Sequence, residues 1–206
     1  MNNYFVILGA GKSKRFQGKI AKQFYNYRNK DLIDHSIEKS LNSRLFKKII
    51  IVTNNLKKFK KKKYDKSIKI IKGGKERSDY SLIALKYLRK FKPTNILIHD
   101  AARPNFSIRL LKKLINKLKK NKAVVPYVYS NDSIKYSSQN RLFNLNRNKA
   151  FLTQTPQGFK YNDLYKLAIN QKNKITDEAT LFIDNDFKVN FVKGENKNNK
   201  ITFKND

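Results

Sequence analysis

Residues 4–16 read YFVILGAGKSKRF, an apolar run that passes directly into a turn of small and basic residues. The run at 4–8 has the length and composition of a buried strand, and the turn begins at Gly9. Small residues let backbone N–H groups approach an anion closely, and the basic residues that follow add positive charge around it. This stretch therefore predicts a first strand that ends at a phosphate-binding turn.

The turn is neither the dinucleotide-binding pattern G-x-G-x-x-G nor a complete P-loop, G-x-x-x-x-G-K-[ST]. A small-residue turn after a first strand is often only a tight connection between two elements. The phosphate-binding interpretation therefore depends on the nearby cations, which are Lys12, Lys14, Arg15 and Lys22.

Short apolar runs alternate with amphipathic stretches along the rest of the chain. Strands are predicted at residues 4–8, 48–53, 68–71, 95–99, 123–127 and 188–192. Helices are predicted at residues 32–41, 77–90, 107–119, 161–170 and 177–184. Such alternation is typical of an α/β fold with a mostly parallel sheet and helices on both faces. Ligands bind these sheets beyond the carboxyl ends of the strands.

Asp100 follows the fourth predicted strand and so lies at one of these carboxyl ends. A carboxylate in this place can hold Mg²⁺ against phosphates, although a lone aspartate more often caps a turn. His99 comes one residue earlier, and we expect it to pack within the strand without a chemical role.

Residues 131–149 interrupt the alternation of strands and helices. They are polar, and they carry weak strand signals at 133–136 and 142–145 around a turn-like Ser-Gln-Asn, so they predict a protruding hairpin. A two-stranded hairpin is only marginally stable alone, and a second subunit is one surface on which it could lie. A surface loop is the alternative. The sequence contains no internal repeat and no interdomain linker, so we expect a single domain over 1–206.

The formal net charge of +32 admits two interpretations. Lysine-rich surfaces release counterions from nucleic-acid phosphates, which favours a nucleic-acid partner. The lysines, however, are spread along the whole chain and are not gathered in one arm, which favours a solvated basic surface. We therefore expect no nucleic-acid partner, and the positive field would still concentrate small phosphorylated substrates.

The chain contains no cysteine, which excludes disulfides, a thiol nucleophile and cysteine-bound metals. No apolar run approaches the roughly 18 residues of a membrane span, and the first predicted strand leaves no room for a signal peptide before it. These observations predict a cytoplasmic protein without a membrane partner.

Several short segments, rich in glycine and in charged or polar residues, follow one another along the chain. They are GAG at 9–11, Arg15, KQ at 22–23, GG at 73–74, HDAARP at 99–104, QTPQ at 154–157, TDEA at 176–179 and KIT at 200–202. Together they resemble the 2-C-methyl-D-erythritol 4-phosphate cytidylyltransferases, nucleotidyltransferases of the non-mevalonate route to isoprenoids. The resemblance covers nearly the whole chain, and the pairing of HDAARP with QTPQ is its most specific part.

The resemblance implies a homodimer with a Rossmann-like core, in which the hairpin at 131–149 is a β-arm exchanged between subunits. It implies CTP and a sugar-alcohol phosphate as substrates, with Mg²⁺ as the metal. Arg15 and Lys22 match the catalytic positions, and Asp100 matches the metal position. The positions that would line the CTP pocket are Gly9, Ala10, Gly11, Gly73, Gly74, Tyr80 and Ala101. Those that would face the sugar phosphate are Arg103, Ser133, Thr155 and Lys200, with Arg147 reaching it from the partner subunit.

Some positions depart from the pattern that is usual in this family. Ser13 replaces a loop glycine, Ala21 replaces a proline, Ser133 replaces a threonine, and Tyr80 replaces a serine near the base. Two alternatives stay open, because the residues around Ser133, Arg147 and Lys200 do not settle the choice of sugar phosphate, and because the high charge and the departures at Ala21 and Tyr80 admit a loss of catalysis. One is a ribitol 5-phosphate cytidylyltransferase of the same build, and the other is a basic nucleic-acid-binding module without catalysis.

Overall fold

The computed structural model describes residues 1–11, 16, 20–60, 64–171 and 175–203. Its strands are β1 Asn3–Leu8, β2 Asn26–Tyr27, β3 Lys30–Asp31, β4 Lys48–Thr53, β5 Ile68–Lys72, β6 Asn95–Asp100, β7 Ala123–Tyr129, β8 Ile134–Ser138, β9 Arg141–Leu145, β10 Phe151–Thr153, β11 Gln157–Lys160 and β12 Val189–Lys193. Its helices are α1 Leu32–Asn42, α2 Leu56–Lys60, α3 Arg77–Leu88, α4 Ile108–Lys117, α5 Tyr161–Ile169 and α6 Glu178–Ile183.

A mixed, mostly parallel sheet forms the centre of the described structure. The strand order is β10-β7-β11-β6-β1-β4-β5, and β12 pairs with β7. Strands β6, β1, β4 and β5 are parallel neighbours, whereas β11 runs antiparallel to both β6 and β7. The predicted α/β architecture is therefore confirmed, and all six predicted strands are present. The sequence prediction missed the short strands β10 and β11.

Alternate residues of β1 divide the core into two layers, as the period of two in a strand requires. Tyr4, Val6 and Leu8 pack in one cluster with residues of α3, α5 and α6. Phe5 and Ile7 pack on the other face with residues of α1, α2 and α4. Because both faces are covered by helices, β1 is buried along its whole length, and its sequence is a continuous apolar run.

The hairpin predicted at 131–149 is present as strands β8 and β9, which form a separate two-stranded antiparallel sheet. Gln139 and Asn140 both have positive φ angles, 46° and 62°, as the two central residues of a tight hairpin turn require. Four apolar side chains of the hairpin are exposed, Tyr136, Leu142, Phe143 and Leu145, whereas Ile134 is half-buried. The exchange of this arm between subunits stays a prediction, as does the assignment of one domain to 1–206.

All five predicted helices are present with ends that differ from the prediction by at most two residues, and the short helix α2 was not predicted. Helix α3 ends at Leu88, and the next three residues form a separate 3₁₀ turn. Helix α4 begins at Ile108 because Ser107 is its N-cap, with its hydroxyl accepting a hydrogen bond from Leu110 N at 3.1 Å. Among the described residues, no helix is both long and apolar enough to cross a membrane.

Candidate active site

The parallel strands β1, β4, β5 and β6 end on the same side of the sheet, which is its carboxyl edge. Backbone hydrogen bonds continue beyond the strand ends into the loops on this side. Gly9 N donates to Val52 O at 2.8 Å, Gly73 N donates to Thr53 O at 3.1 Å, and Ala101 N donates to Leu8 O at 3.1 Å. The loops after β1, β5 and β6 are therefore held side by side. This edge brings together the predicted phosphate-binding turn and the predicted metal position.

Close packing fixes the start of the turn after β1. A Cβ atom at Gly9 would lie 2.9 Å from Ile33 Cδ1, so a larger residue would require the end of the Ile33 side chain to move. Ala10 and Ala101 are both buried. At Gly11 the surroundings change, because a Cβ there would meet no atom within 4 Å. Arg15, which is predicted to be catalytic, and Ser13, which replaces the usual loop glycine, lie outside the described residues.

The second glycine loop folds over the first turn of α3. A Cβ at Gly73 would lie 2.7 Å from Ala10 Cβ, and one at Gly74 would lie 2.5 Å from Asp79 Cβ. The Asp79 carboxylate accepts hydrogen bonds from Lys75 N and Glu76 N, each at 2.9 Å. Two glycines are therefore required by the close approach of this loop to the turn after β1 and to α3.

Asp100 ends β6 with its side chain mostly buried, 14% exposed, and its Oδ2 lies 2.7 Å from Lys200 Nζ. No group of three or more histidine or acidic side chains that could hold a metal occurs within the described ranges. A single carboxylate nevertheless suits Mg²⁺, which commonly binds one or two carboxylates and completes its shell with water and substrate phosphates. The donor set therefore fits a metal that the bound nucleotide helps to hold.

His99 is fully buried between the sheet and α1, and burial lowers its pKa to about 3, so the ring is neutral. Its Nε2 lies 3.1 Å from both Ser36 Oγ and Arg103 O. Because a carbonyl oxygen only accepts, Nε2 carries the proton and Nδ1 is a bare acceptor. The expected packed histidine is present, with a hydrogen-bond role that we had not predicted.

This tautomer fixes the role of Thr155. The Thr155 hydroxyl lies 3.0 Å from His99 Nδ1 and accepts a hydrogen bond from Asp100 N at 3.0 Å. Its one proton is therefore donated to His99, and one of its lone pairs holds the backbone of Asp100. Thr155 is 5% exposed. The structure thus gives it a part in holding Asp100, and its predicted contact with the sugar phosphate stays a prediction.

Arg103 joins the loop after β6 to two other segments. Its Nη1 donates to Asn198 O at 2.8 Å, and its Nη2 donates to Thr153 O at 3.2 Å. Asn198 is fully buried and donates from its side chain to Thr155 O at 2.8 Å. Sequence reasoning gave Asn198 no role, although its place shortly before the KIT segment was the available signal.

The remaining predicted residues lie in two places. Lys22 begins a short 3₁₀ turn, Lys22–Phe24, that follows the segment containing Arg15. Ser133 and Arg147 lie at the base of the exposed hairpin, where Arg147 Nη1 donates to Asn131 O at 2.7 Å. The core of the described chain therefore brings Asp100, Arg103, Thr155 and Lys200 together, whereas Ser133 and Arg147 belong to the hairpin.

The family model described as IspD, 2-C-methyl-D-erythritol 4-phosphate cytidylyltransferase, matches residues 4–206. The chain belongs to this family. A relative named 2-C-methyl-D-erythritol 4-phosphate cytidylyltransferase, from Thermosipho melanesiensis, is 36% identical over 99% of this chain and 94% of its own length. A bifunctional enzyme IspD/IspF from Pelagibacter ubique is 44% identical over 100% of the chain, which spans 56% of that relative.

Solved structures of this family share the fold. The 4-diphosphocytidyl-2C-methyl-D-erythritol synthase of Anaerococcus prevotii superposes with a TM-score of 0.87 at 28% identity, covering 99% of this chain and 92% of that one. The bifunctional IspDF of Campylobacter jejuni gives a TM-score of 0.85 at 30% identity, covering 100% of this chain and 53% of that one. The predicted family and enzyme class, a cytidylyltransferase, are confirmed, and the matches give no support to the ribitol phosphate or nucleic-acid alternatives.

The hydrogen bonds around Thr155 make a structural prediction. Thr155→Val keeps the shape of the side chain but leaves His99 Nδ1 and Asp100 N without their partner. The free energy of unfolding should fall by about 1–3 kcal/mol, because unpaired buried polar groups are costly. Hydrogen exchange at the Asp100 amide should become faster. Thr155→Ser, which retains the hydroxyl, is the control and should stay close to the parent chain in both measurements; equal exchange in the valine variant would contradict the assigned bonds.

Proposed function

We propose that the chain transfers the cytidylyl group of CTP to 2-C-methyl-D-erythritol 4-phosphate, releasing pyrophosphate and forming 4-diphosphocytidyl-2-C-methyl-D-erythritol. The observation that carries this proposal is the meeting of the small-residue turn with the Asp100 loop. A Cβ at Gly9 would lie 3.7 Å from Ala101 Cβ, so an anion held by the turn would lie beside the Asp100 segment. The family match supplies the substrate class.

The nucleophile in this proposal is a phosphate oxygen of the sugar phosphate. Its second pKa is near 6, so at neutral pH it is largely dianionic and needs no general base. The state of His99 agrees with this, because the ring is buried and both of its nitrogens are within hydrogen-bond distance of neighbouring groups. The new bond joins that oxygen to the α-phosphorus of CTP, and the bond from the α-phosphorus to pyrophosphate breaks.

The main barrier is the repulsion between two polyanions, so the cations of the site carry the catalysis. Arg15 and Lys22 would neutralise the charge that develops on the α-phosphate. Asp100 would hold Mg²⁺, which would neutralise negative charge on the phosphates of the nucleotide. Lys200, whose Nζ lies 2.7 Å from Asp100 Oδ2, would align the attacking phosphate. Arg103 would support the same substrate from the loop after β6.

The active form in this proposal is a homodimer. The hairpin of β8 and β9 exposes apolar side chains on a two-stranded sheet that is only marginally stable alone, which supports its docking on another subunit. Ser133 and Arg147 would then reach the sugar phosphate across the interface. The cytoplasmic location expected from the sequence is part of this proposal.

Pyrophosphate release from CTP tests the proposed reaction directly. With Mg²⁺ present, release should require 2-C-methyl-D-erythritol 4-phosphate and should be far slower with ribitol 5-phosphate or with no acceptor. Equal or faster release with ribitol 5-phosphate would assign the chain to the alternative substrate. Absence of release with either acceptor, together with binding to nucleic acid, would favour the non-catalytic alternative.

Removal of either loop cation should slow turnover strongly without abolishing nucleotide binding. Lys22→Ala and Arg15→Ala should each lower kcat by about 10²–10³-fold, because a cation that stabilises the transition state is lost. CTP binding, measured by calorimetry, should persist. Lys30→Ala removes a lysine from an exposed ion pair with Glu38 and serves as the charge-matched control with unchanged kcat. Near-normal kcat in either loop variant would refute the assignment.

The exchanged arm predicts complementation between two inactive variants. Arg147→Ala should impair use of the sugar phosphate more than CTP binding. Mixed dimers of an Arg147→Ala chain and a Lys22→Ala chain contain one site with both residues intact, so activity should partly return. Mixtures that stay as inactive as the separate variants, in samples shown to contain mixed dimers, would place Arg147 in the site of its own chain.

A further inference from the structure

Tyr80 connects the two glycine loops at the edge of the sheet. Its side chain is 4% exposed, and its hydroxyl lies 3.2 Å from Ala10 O and 3.4 Å from Lys75 O. Its ring packs against the backbone of Gly73, since a Cβ there would lie 3.1 Å from Tyr80 Cδ1. One side chain of α3 therefore touches both the turn after β1 and the loop after β5.

Asn54 makes a second link between the same two loops. Its Nδ2 lies 3.4 Å from Ala10 O and 3.2 Å from Gly74 O. The carbonyl group of Ala10 is therefore approached by two side-chain donors, the hydroxyl of Tyr80 and the amide of Asn54. The Asn54 amide has two protons and can donate to both loops, whereas the Tyr80 hydroxyl has one proton, which the shorter distance assigns to Ala10 O. Both side chains therefore hold the carbonyl of Ala10 beside the loop after β5.

The orientation of the Ala10 carbonyl also sets the direction of the Gly11 N–H, because both groups belong to the same peptide. In a planar trans peptide the C=O and N–H groups point in opposite directions. With Ala10 O turned toward Tyr80 and Asn54, the Gly11 N–H points away from them. Gly11 borders open space on the side where a Cβ would stand. The two donors thus hold one peptide of the small-residue turn in a single orientation.

We propose that Tyr80 is a positioning residue for the nucleotide, because its hydroxyl, together with the Asn54 amide, holds the Ala10 carbonyl and so fixes the turn after β1 at the place where CTP would bind. This inference rests on the proposed function. It gives Tyr80 a different role from direct contact with the base, since its hydroxyl already lies against two backbone carbonyls. The tyrosine ring spans the distance from α3 to the turn, which the shorter serine usual at this position does not.

A turn that is held before binding loses less conformational freedom when the ligand arrives. Removal of the Tyr80 hydroxyl should therefore weaken CTP binding and leave the chemical step intact once CTP is bound. The expected loss is the affinity equivalent of one neutral hydrogen bond, roughly three- to tenfold in Kd. The effect should thus fall on Kd and KM for CTP, with kcat at saturating CTP close to that of the parent chain.

The test compares Tyr80→Phe with Tyr161→Phe by calorimetry of CTP binding in the absence of the sugar phosphate. Tyr161 is a matched control because it is also buried, at 3% exposed, and its hydroxyl donates to a backbone oxygen, Leu85 O, at 2.7 Å. Tyr161→Phe should lose stability to a similar degree but bind CTP normally. Tyr80→Phe should bind CTP about three- to tenfold more weakly.

Asn54→Ala supplies a second, independent measurement at an exposed side chain. Either single variant leaves one donor on Ala10 O, whereas the double variant leaves neither. The loss of affinity in the double variant should therefore exceed the product of the two single losses, as expected for groups that share a partner.

The outcomes separate this inference from the proposed function. If the parent chain fails to bind CTP, the proposed function fails and this inference fails with it. If the parent chain binds CTP and Tyr80→Phe binds equally well, only the positioning role of Tyr80 is overturned. An equal loss in Tyr161→Phe would also overturn it, because a general loss of stability would then account for the effect.

Discussion

Parallel pairing of β1 with β4 and β6 is the constraint on which the site depends. It places the ends of three strands at one edge, and backbone hydrogen bonds from Gly9 N and Ala101 N extend that pairing into the loops. The turn after β1 and Asp100 are thus brought together by the main chain. Side-chain hydrogen bonds then hold in place the loops that the sheet has brought together.

These side-chain hydrogen bonds are made mainly by buried polar groups whose donors and acceptors can be assigned. His99, Thr155 and Arg103 are joined by hydrogen bonds that fix the tautomer of the histidine and hold the backbone of Asp100. Such networks are effective only when their members are satisfied, because an unpaired polar group in a low-dielectric interior is costly. Near the site these bonds give rigidity, while exposed cations such as Lys200 remain at its surface.

Much of the fold could be predicted from the sequence because its signals are local. The buried runs that became β1, β4 and β6 are continuous and apolar, and the hairpin carries its own turn residues, Gln139 and Asn140. Strands β10 and β11 were missed because runs of three and four residues carry too little periodicity to be recognised.

The hydrogen bonds of the site could not be predicted in the same way. Ser36 is 63 residues from His99 in the chain and Thr155 is 56 residues from it, so no local pattern relates them. The residue types around Asp100 and Lys22 were enough to indicate cationic phosphate chemistry. The roles of Tyr80 and Asn198 depend on which neighbours their polar atoms meet after packing, and only the structure shows those neighbours.

In the proposed mechanism, charge neutralisation by residues at this sheet edge is the source of catalysis. A crystal structure of the protein with CTP and Mg²⁺ tests that claim most directly. The triphosphate should lie against the turn at 9–15, with the α-phosphate within reach of Lys22 and the metal on Asp100. A triphosphate bound away from this turn, with Lys22 and Asp100 facing solvent, would contradict it.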